Sequence, residues 1–288
     1  MRWAEITVET TEEAQEAIGS IMNDNGCNGV VMQDGVPAFV KGYLPVDDRL
    51  EDRLLNIKEL VVGIPQFGLD AGSCEITITY AEEQDWAESW KQYFKTTRVG
   101  RFMVIKPTWE EYTPEPRDIV IELDPGMAFG TGSHATTRLC LEALEKYMQP
   151  RMSVVDFGTG SGILAIAAAK MKASIVIAFD SDELAVKAAR ENVILNGVED
   201  HIEVHRAESP AFIHTEVDLV TANIVAEVII ENVEAITKLL RIGGVLIASG
   251  ITRHKAHLVE DALKNLGFDI LRRMKEGEWV AISACKGS

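Results

Sequence analysis

The sequence predicts an α/β protein: an open, doubly wound, mainly parallel sheet preceded by a smaller α+β module. Three observations carry this. From about Arg117 onward, short β-branched runs alternate with helical stretches, the pattern of a parallel sheet covered on both faces. The first 80 residues run strand, helix, strand, strand, helix, strand, the βαββαβ order of a ferredoxin-like module. An aromatic-rich stretch, Glu82 to Phe94, lies between them. At about 100–200 residues per domain, 288 residues fit two domains.

Within the first module, Trp3 to Val8 alternates like a strand. Thr10 and Thr11 are placed to cap a helix running to about Asn23, with Ala14, Ala17, Ile18 and Ile21 on one face. Asp34-Gly35 between Val30–Met32 and Ala38–Val40 is a hairpin signal. Asp47 to Val62 reads as a second helix with Leu50, Leu54, Ile57 and either Leu60 or Val61 as its stripe. Glu75 to Tyr80 has period two and closes the module. Trp86, Trp90 and Phe94 recur every four residues, the spacing of one helix face, and fit a buried interdomain contact better than a ligand platform. Phe102 to Ile105 is a further strand.

Beyond Arg117 the strand candidates are 119–123, 153–157, 175–179, 202–204, 217–222, 245–249, 268–273 and 279–284. The short link Met274–Glu278, with Gly277, predicts an antiparallel pair at the end.

The formal charge is −17. Such a chain repels nucleic-acid phosphates and attracts basic proteins and amines. Cys27, Cys74, Cys140 and Cys285 contain no C-x-x-C pair, which argues against a zinc site or a disulfide framework and fits a reducing cytosol. No apolar run approaches the roughly 18 residues of a membrane span, and the N-terminus lacks the basic start and apolar core of a signal peptide. The expectation is a cytoplasmic protein with no membrane and no direct nucleic-acid partner. The histidines suggest no metal site: His201/His205 and His254/His257 lack a third ligand.

The chemistry concentrates after the strand Ser153–Phe157. Asp156 is followed by Gly158-Thr159-Gly160-Ser161-Gly162 and an Ala-rich helix from Ile163. Glycines belong where a backbone must turn tightly and admit a ligand. A dinucleotide fingerprint would need glycine at 163, and Ile163 breaks it. The G-x-G-x-G spacing is typical of S-adenosylmethionine (AdoMet) enzymes. The next strand ends at Asp180, placed to accept both ribose hydroxyls of an adenosine, and Ser181 or Asp182 then caps a helix to about Leu195. The strand Asp218–Ala222 reaches Asn223, whose amide can serve the cofactor's methionine part or the incoming nucleophile. Ile224-Val225-Ala226 follows, not Pro-Pro-aromatic, which leans toward an aliphatic amine. Upstream, Asp124–Thr137 is rich in glycine and threonine and reads as a lid whose threonines reach the cofactor.

At these residues the sequence closely resembles the bacterial ribosomal protein L11 methyltransferases (PrmA). The likeness runs through Trp90-Lys91-Gln92-Tyr93-Phe94, Lys106-Pro107-Thr108-Trp109, the Asp-Pro-Gly-Met-Ala-Phe-Gly-Thr-Gly loop with its His-x-Thr-Thr, Asp156–Gly162, Asp180 and Ala222-Asn223-Ile224. Position 159 is Thr where many members have Cys. The resemblance implies a seven-stranded, Rossmann-like class I methyltransferase domain at 117–288. It implies a substrate-recognition domain at 1–80, with an aromatic linker helix and connecting strand at 81–116. It also implies AdoMet-dependent methylation of lysine side chains and the N-terminal α-amine of large-subunit protein L11. The AdoMet contacts it implies are Thr137, Gly158, Gly160, Asp180 and Asn223, with Asn223 as the positioning residue and no certain base. The competing readings are a lysine methyltransferase for another protein, a non-catalytic AdoMet-binding module and a nicotinamide oxidoreductase. Titration with labelled AdoMet and with NADH separates the last from the rest.

Overall fold

The computed structural model describes residues 2–82, 94–123, 132 and 134–287. The aromatic segment with Trp86, Trp90 and Tyr93, and Asp124 to Thr131 of the glycine-rich loop, lie outside the described residues. The chain divides into two compact units with the boundary between Lys95 and Thr96.

In the first unit, strands β1 (Arg2–Thr10), β2 (Asn28–Gln33), β3 (Ala38–Pro45) and β4 (Ile76–Glu82) form an antiparallel sheet in the order β2-β3-β1-β4. Helices α1 (Gln15–Asp24) and α2 (Leu50–Gly63) join them in the βαββαβ order. Period-two alternation places Ala4, Ile6 and Val8 inward, where they meet Ile18 and Met22 of α1 and Ile57 and Val61 of α2. The second-helix stripe ends on Val61, because Leu60 is exposed. Thr10 and Thr11 do not cap α1, contrary to the sequence expectation. Their hydroxyls donate instead to the carbonyls of Ala71 and Asp70, pinning the end of β1 to a distant turn, so the helix begins later, after Ala14.

The second unit is built on a seven-stranded sheet. Its order is β10 (Ile202–Arg206), β9 (Ile175–Asp180), β8 (Ser153–Phe157), β11 (Val217–Asn223), β12 (Leu240–Thr252), β14 (Trp279–Lys286) and β13 (Phe268–Glu276). The first five are parallel. The last two form the antiparallel pair that Gly277 foretold. Helices α3 (Ala135–Tyr147), α4 (Ile163–Lys170), α5 (Glu183–Leu195), α6 (Ala226–Leu239) and α7 (Ala256–Asn265) accompany the sheet. Helix α4 is buried from Ile163 to Ala169, as an apolar helix must be. The chain steps from β8 outward through β9 to β10, then returns to β11 on the other side of β8. That reversal opens a crevice at the carboxyl ends of β8 and β11, the usual ligand position in such sheets.

One expected strand belongs elsewhere. Ile119–Glu122 (β7) does not enter the large sheet. It runs parallel to β6 (Met103–Lys106), which pairs antiparallel with β5 (Thr97–Val99). The reason lies partly in Asn196 at the end of α5. Its side-chain oxygen accepts the Glu122 N–H at 2.9 Å and its amide donates to the Glu122 carbonyl at 2.6 Å, occupying the backbone groups at the end of β7. Met103, Ile105 and Ile121 meanwhile pack with Leu141 and Leu144 of α3 into the core.

Candidate functional site: the crevice at the tips of β8, β9 and β11

Residues 158–162 leave the centre of the sheet as a turn with positive φ at Gly158, Gly160 and Gly162. Gly158 is constrained twice. Its φ is +69°, and a Cβ built there would lie 2.3 Å from Ile224 Cγ2, the residue that follows Asn223. The turn is fastened to β9, since the N–H groups of Gly158 and Thr159 both donate to the Phe179 carbonyl, at 2.9 and 3.0 Å. Buried Asn192 of α5 donates to the Ser161 carbonyl at 2.8 Å.

Asp180 stands at the tip of β9. One carboxylate oxygen accepts the Gly160 N–H at 3.0 Å and the other accepts the Asp182 N–H at 3.1 Å. Each oxygen retains a second lone pair for a further donor. Of the two capping candidates it is Asp182 that caps α5, accepting the Leu184 N–H at 2.8 Å.

Asn223 ends β11 and its amide donates to Thr137 Oγ1, a long bond of 3.4 Å. Thr137 is fully buried in the first turn of α3. The Asn223 side-chain oxygen is buried and has no hydrogen-bond partner among the described residues. A buried acceptor left this way costs free energy until a donor, from water or from a ligand, meets it.

His134 was legible only as part of a motif, and the structure gives it a task. It caps α3 through Nδ1, which accepts the Thr136 N–H at 3.4 Å, and its ring meets Trp279 edge-on at 5.0 Å. Burial pushes its imidazole down to about 4, and the Arg138 guanidinium adds to the effect. The neutral ring is therefore the folded form. Its stabilisation is whole above the ordinary 6.5 and is lost as pH falls toward 4. His134→Gln keeps an acceptor for the cap but cannot charge. Wild type is expected to lose about 3 kcal/mol more than this variant across that window. Denaturant titrations at each pH check it, and equal acid slopes would show that His134 is not a source of the acid sensitivity.

Sequence reasoning did not assign Ile224, Asn192, Thr159 or Thr221 to the site, yet each touches the turn or its strands. Thr221 carried a signal: it lies two residues before Asn223 and so shares its strand face.

The arrangement fits AdoMet. A glycine turn admits a ligand to the backbone, an acid with spare lone pairs stands beside it, and the amide oxygen of Asn223, at the tip of β11, has no partner among the described residues. Known proteins agree. A relative from Alkaliphilus oremlandii named ribosomal protein L11 methyltransferase is 41% identical over 313 aligned residues, covering 100% of both chains. One of the same name from Exiguobacterium sibiricum is 42% identical over 99% of each. A crystal structure of ribosomal protein L11 methylase from Lactobacillus delbrueckii subsp. bulgaricus superposes with a TM-score of 0.64 at 35% identity. That match covers 68% of this chain and 100% of the other. Residues 2–287 match the family model described as ribosomal protein L11 methyltransferase (PrmA), so with this crevice and these relatives the chain belongs to that family of AdoMet-dependent methyltransferases.

Proposed function

We propose that the chain methylates lysine side chains and the N-terminal α-amine of ribosomal protein L11, with residues 1–80 recognising the substrate and 117–288 carrying the chemistry. The observation that supports the amine is the buried, unpartnered oxygen of Asn223. It can accept an N–H from an incoming neutral amine and turn the nitrogen lone pair toward the reacting carbon. The relatives' names point to the protein substrate.

AdoMet supplies a sulfonium-activated methyl group. This chain's residues do the remaining work. Asp180 would hold the ribose hydroxyls, Gly158 and Gly160 would let the backbone approach the ligand, and Thr137 and Asn223 would hold the methionine end and the amine. A lysine must arrive deprotonated, against a reference value of about 10.4, and a water-poor crevice lowers that value. Alignment alone can supply about 7–11 kcal/mol of the barrier. Among the described residues no side chain of the site is placed as an obligatory base, and the proton leaves through water.

The recognition role draws on charge. Residues 1–80 hold fourteen acids against five bases, suited to a basic protein. Among the described residues, no helix is long and apolar enough to cross a membrane.

The test incubates the protein with labelled AdoMet and ribosomal protein L11 from cells lacking the enzyme, followed by mass spectrometry of the product. Methyl groups on lysine nitrogens and the α-amine are expected, and label on amide or guanidinium nitrogens would overturn the reading. A chain beginning at Thr96 should keep its AdoMet affinity and lose methylation at low L11 concentration. Unchanged methylation would show that the first unit is not the recognition domain.

A further inference from the structure

Asp156 is a carboxylate with no exposed surface, one residue before the end of β8. Its two oxygens serve two different segments. Oδ2 accepts the Thr159 hydroxyl of the glycine turn at 2.7 Å, and Oδ1 accepts the Thr221 hydroxyl of β11 at 2.6 Å. The backbone N–H of Ala165 in α4 also bonds to it. Thr221 faces Asp156 directly in the parallel β8–β11 register and shares its strand face with Asn223.

The charged and titratable groups that act on Asp156 among the described residues are Asp180, from the tip of β9, and Cys140, from α3. Neither is a cation. An anion buried without a counter-charge is costly, and an amide or an apolar group would fill a purely structural position at lower cost. The hydroxyl at 159 is a stronger donor to this carboxylate than the thiol of a cysteine would be.

We propose that Asp156 is a positioning residue, clamping the cofactor turn to β11 so that turn and Asn223 keep one geometry, and that its buried charge favours the cationic cofactor. The proposal rests on the AdoMet reading of the site. It divides labour between the two hydroxyls. Thr159 serves the turn and hence cofactor affinity, while Thr221 serves the strand of Asn223 and hence turnover.

Burial raises the Asp156 carboxyl from 3.8 to about 6, so the charge is lost as pH falls through that value. Because the folded state favours the protonated acid, ionisation destabilises the fold at higher pH, and a neutral isostere relieves this. Asp156→Asn is therefore expected to melt at or above the wild-type temperature at about pH 8 while binding AdoMet about tenfold more weakly at pH 7, the size of one hydrogen bond to a charged group. Calorimetric titration of wild type between about pH 5 and pH 7 should show affinity falling several-fold through about 6, with the variant flat. Thr159→Val should weaken AdoMet binding, whereas Thr221→Val should lower kcat about tenfold with little change in affinity and Thr221→Ser should restore most of it. Thermal midpoints of the threonine variants confirm that they fold, so the proposal stays testable if Asp156→Asn does not. Wild-type affinity and slope in Asp156→Asn, or wild-type kcat in Thr221→Val, would overturn the proposal while leaving the cofactor reading standing. Absence of AdoMet binding by wild type would overturn both.

Discussion

Asn223→Ala is expected to lower the rate of methyl transfer at saturating AdoMet by about 10²–10³-fold, the loss seen when one preorganised polar group at a reacting centre is removed. The fold should barely notice. Asn223 is at the end of β11 rather than within it, and its side-chain bond to Thr137 is long at 3.4 Å. Removing a buried oxygen that has no partner among the described residues also removes a desolvation penalty, so the thermal midpoint should hold or rise slightly. Such a split between turnover and stability marks an atom kept for a ligand. Asn223→Asp is a sharper comparison. It retains an acceptor for the amine and loses the donor to Thr137, so part of the rate should survive. The measurement is single-turnover transfer to ribosomal protein L11 with AdoMet well above its dissociation constant. A wild-type rate in Asn223→Ala would withdraw the amine-positioning role.

The site was readable in the sequence where backbone geometry dictates residue type. Gly158 must be glycine because of its φ and its closeness to Ile224, and the spacing to Asp180 follows from one helix and one strand of ordinary length. The helix α4 and the strand β8 fell where their apolar runs placed them, because both are buried on all sides and composition alone marks that environment. What was not readable depends on partners distant in sequence. Thr10 and Thr11 look like caps, yet their hydroxyls answer carbonyls about sixty residues away. Strand β7 looks like a member of the large sheet, and the clamp that helps seat it elsewhere is a single asparagine 74 residues on. The Asp156 network escaped notice for the same reason, since a threonine in a strand reads as β propensity until its neighbour across the sheet is known.

Asp180→Ala is expected to weaken AdoMet binding by about 1.5–3 kcal/mol, the range for hydrogen bonds to a charged acceptor. Two effects act together. The ribose loses its acceptor, and the glycine turn loses a tether, because one oxygen of Asp180 accepts the Gly160 N–H at 3.0 Å. The other oxygen accepts the Asp182 N–H, and Asp182 in turn caps α5, so a small loss of helix stability should accompany the loss of affinity. Asp180→Asn separates the contributions. Its amide oxygen can still take either the Gly160 N–H or one ribose hydroxyl but not the full set, so its affinity should fall between wild type and alanine. Calorimetric titration of the three proteins, with thermal melts of the ligand-free forms, reads both quantities. If the alanine variant binds AdoMet as wild type does while melting lower, Asp180 is a structural tether of the turn and the ribose must be held elsewhere. If affinity falls by the expected amount and the melting temperature moves by only a few degrees, the acid at the tip of β9 is kept for the cofactor, and its bond to the Gly160 N–H sets the turn beside it.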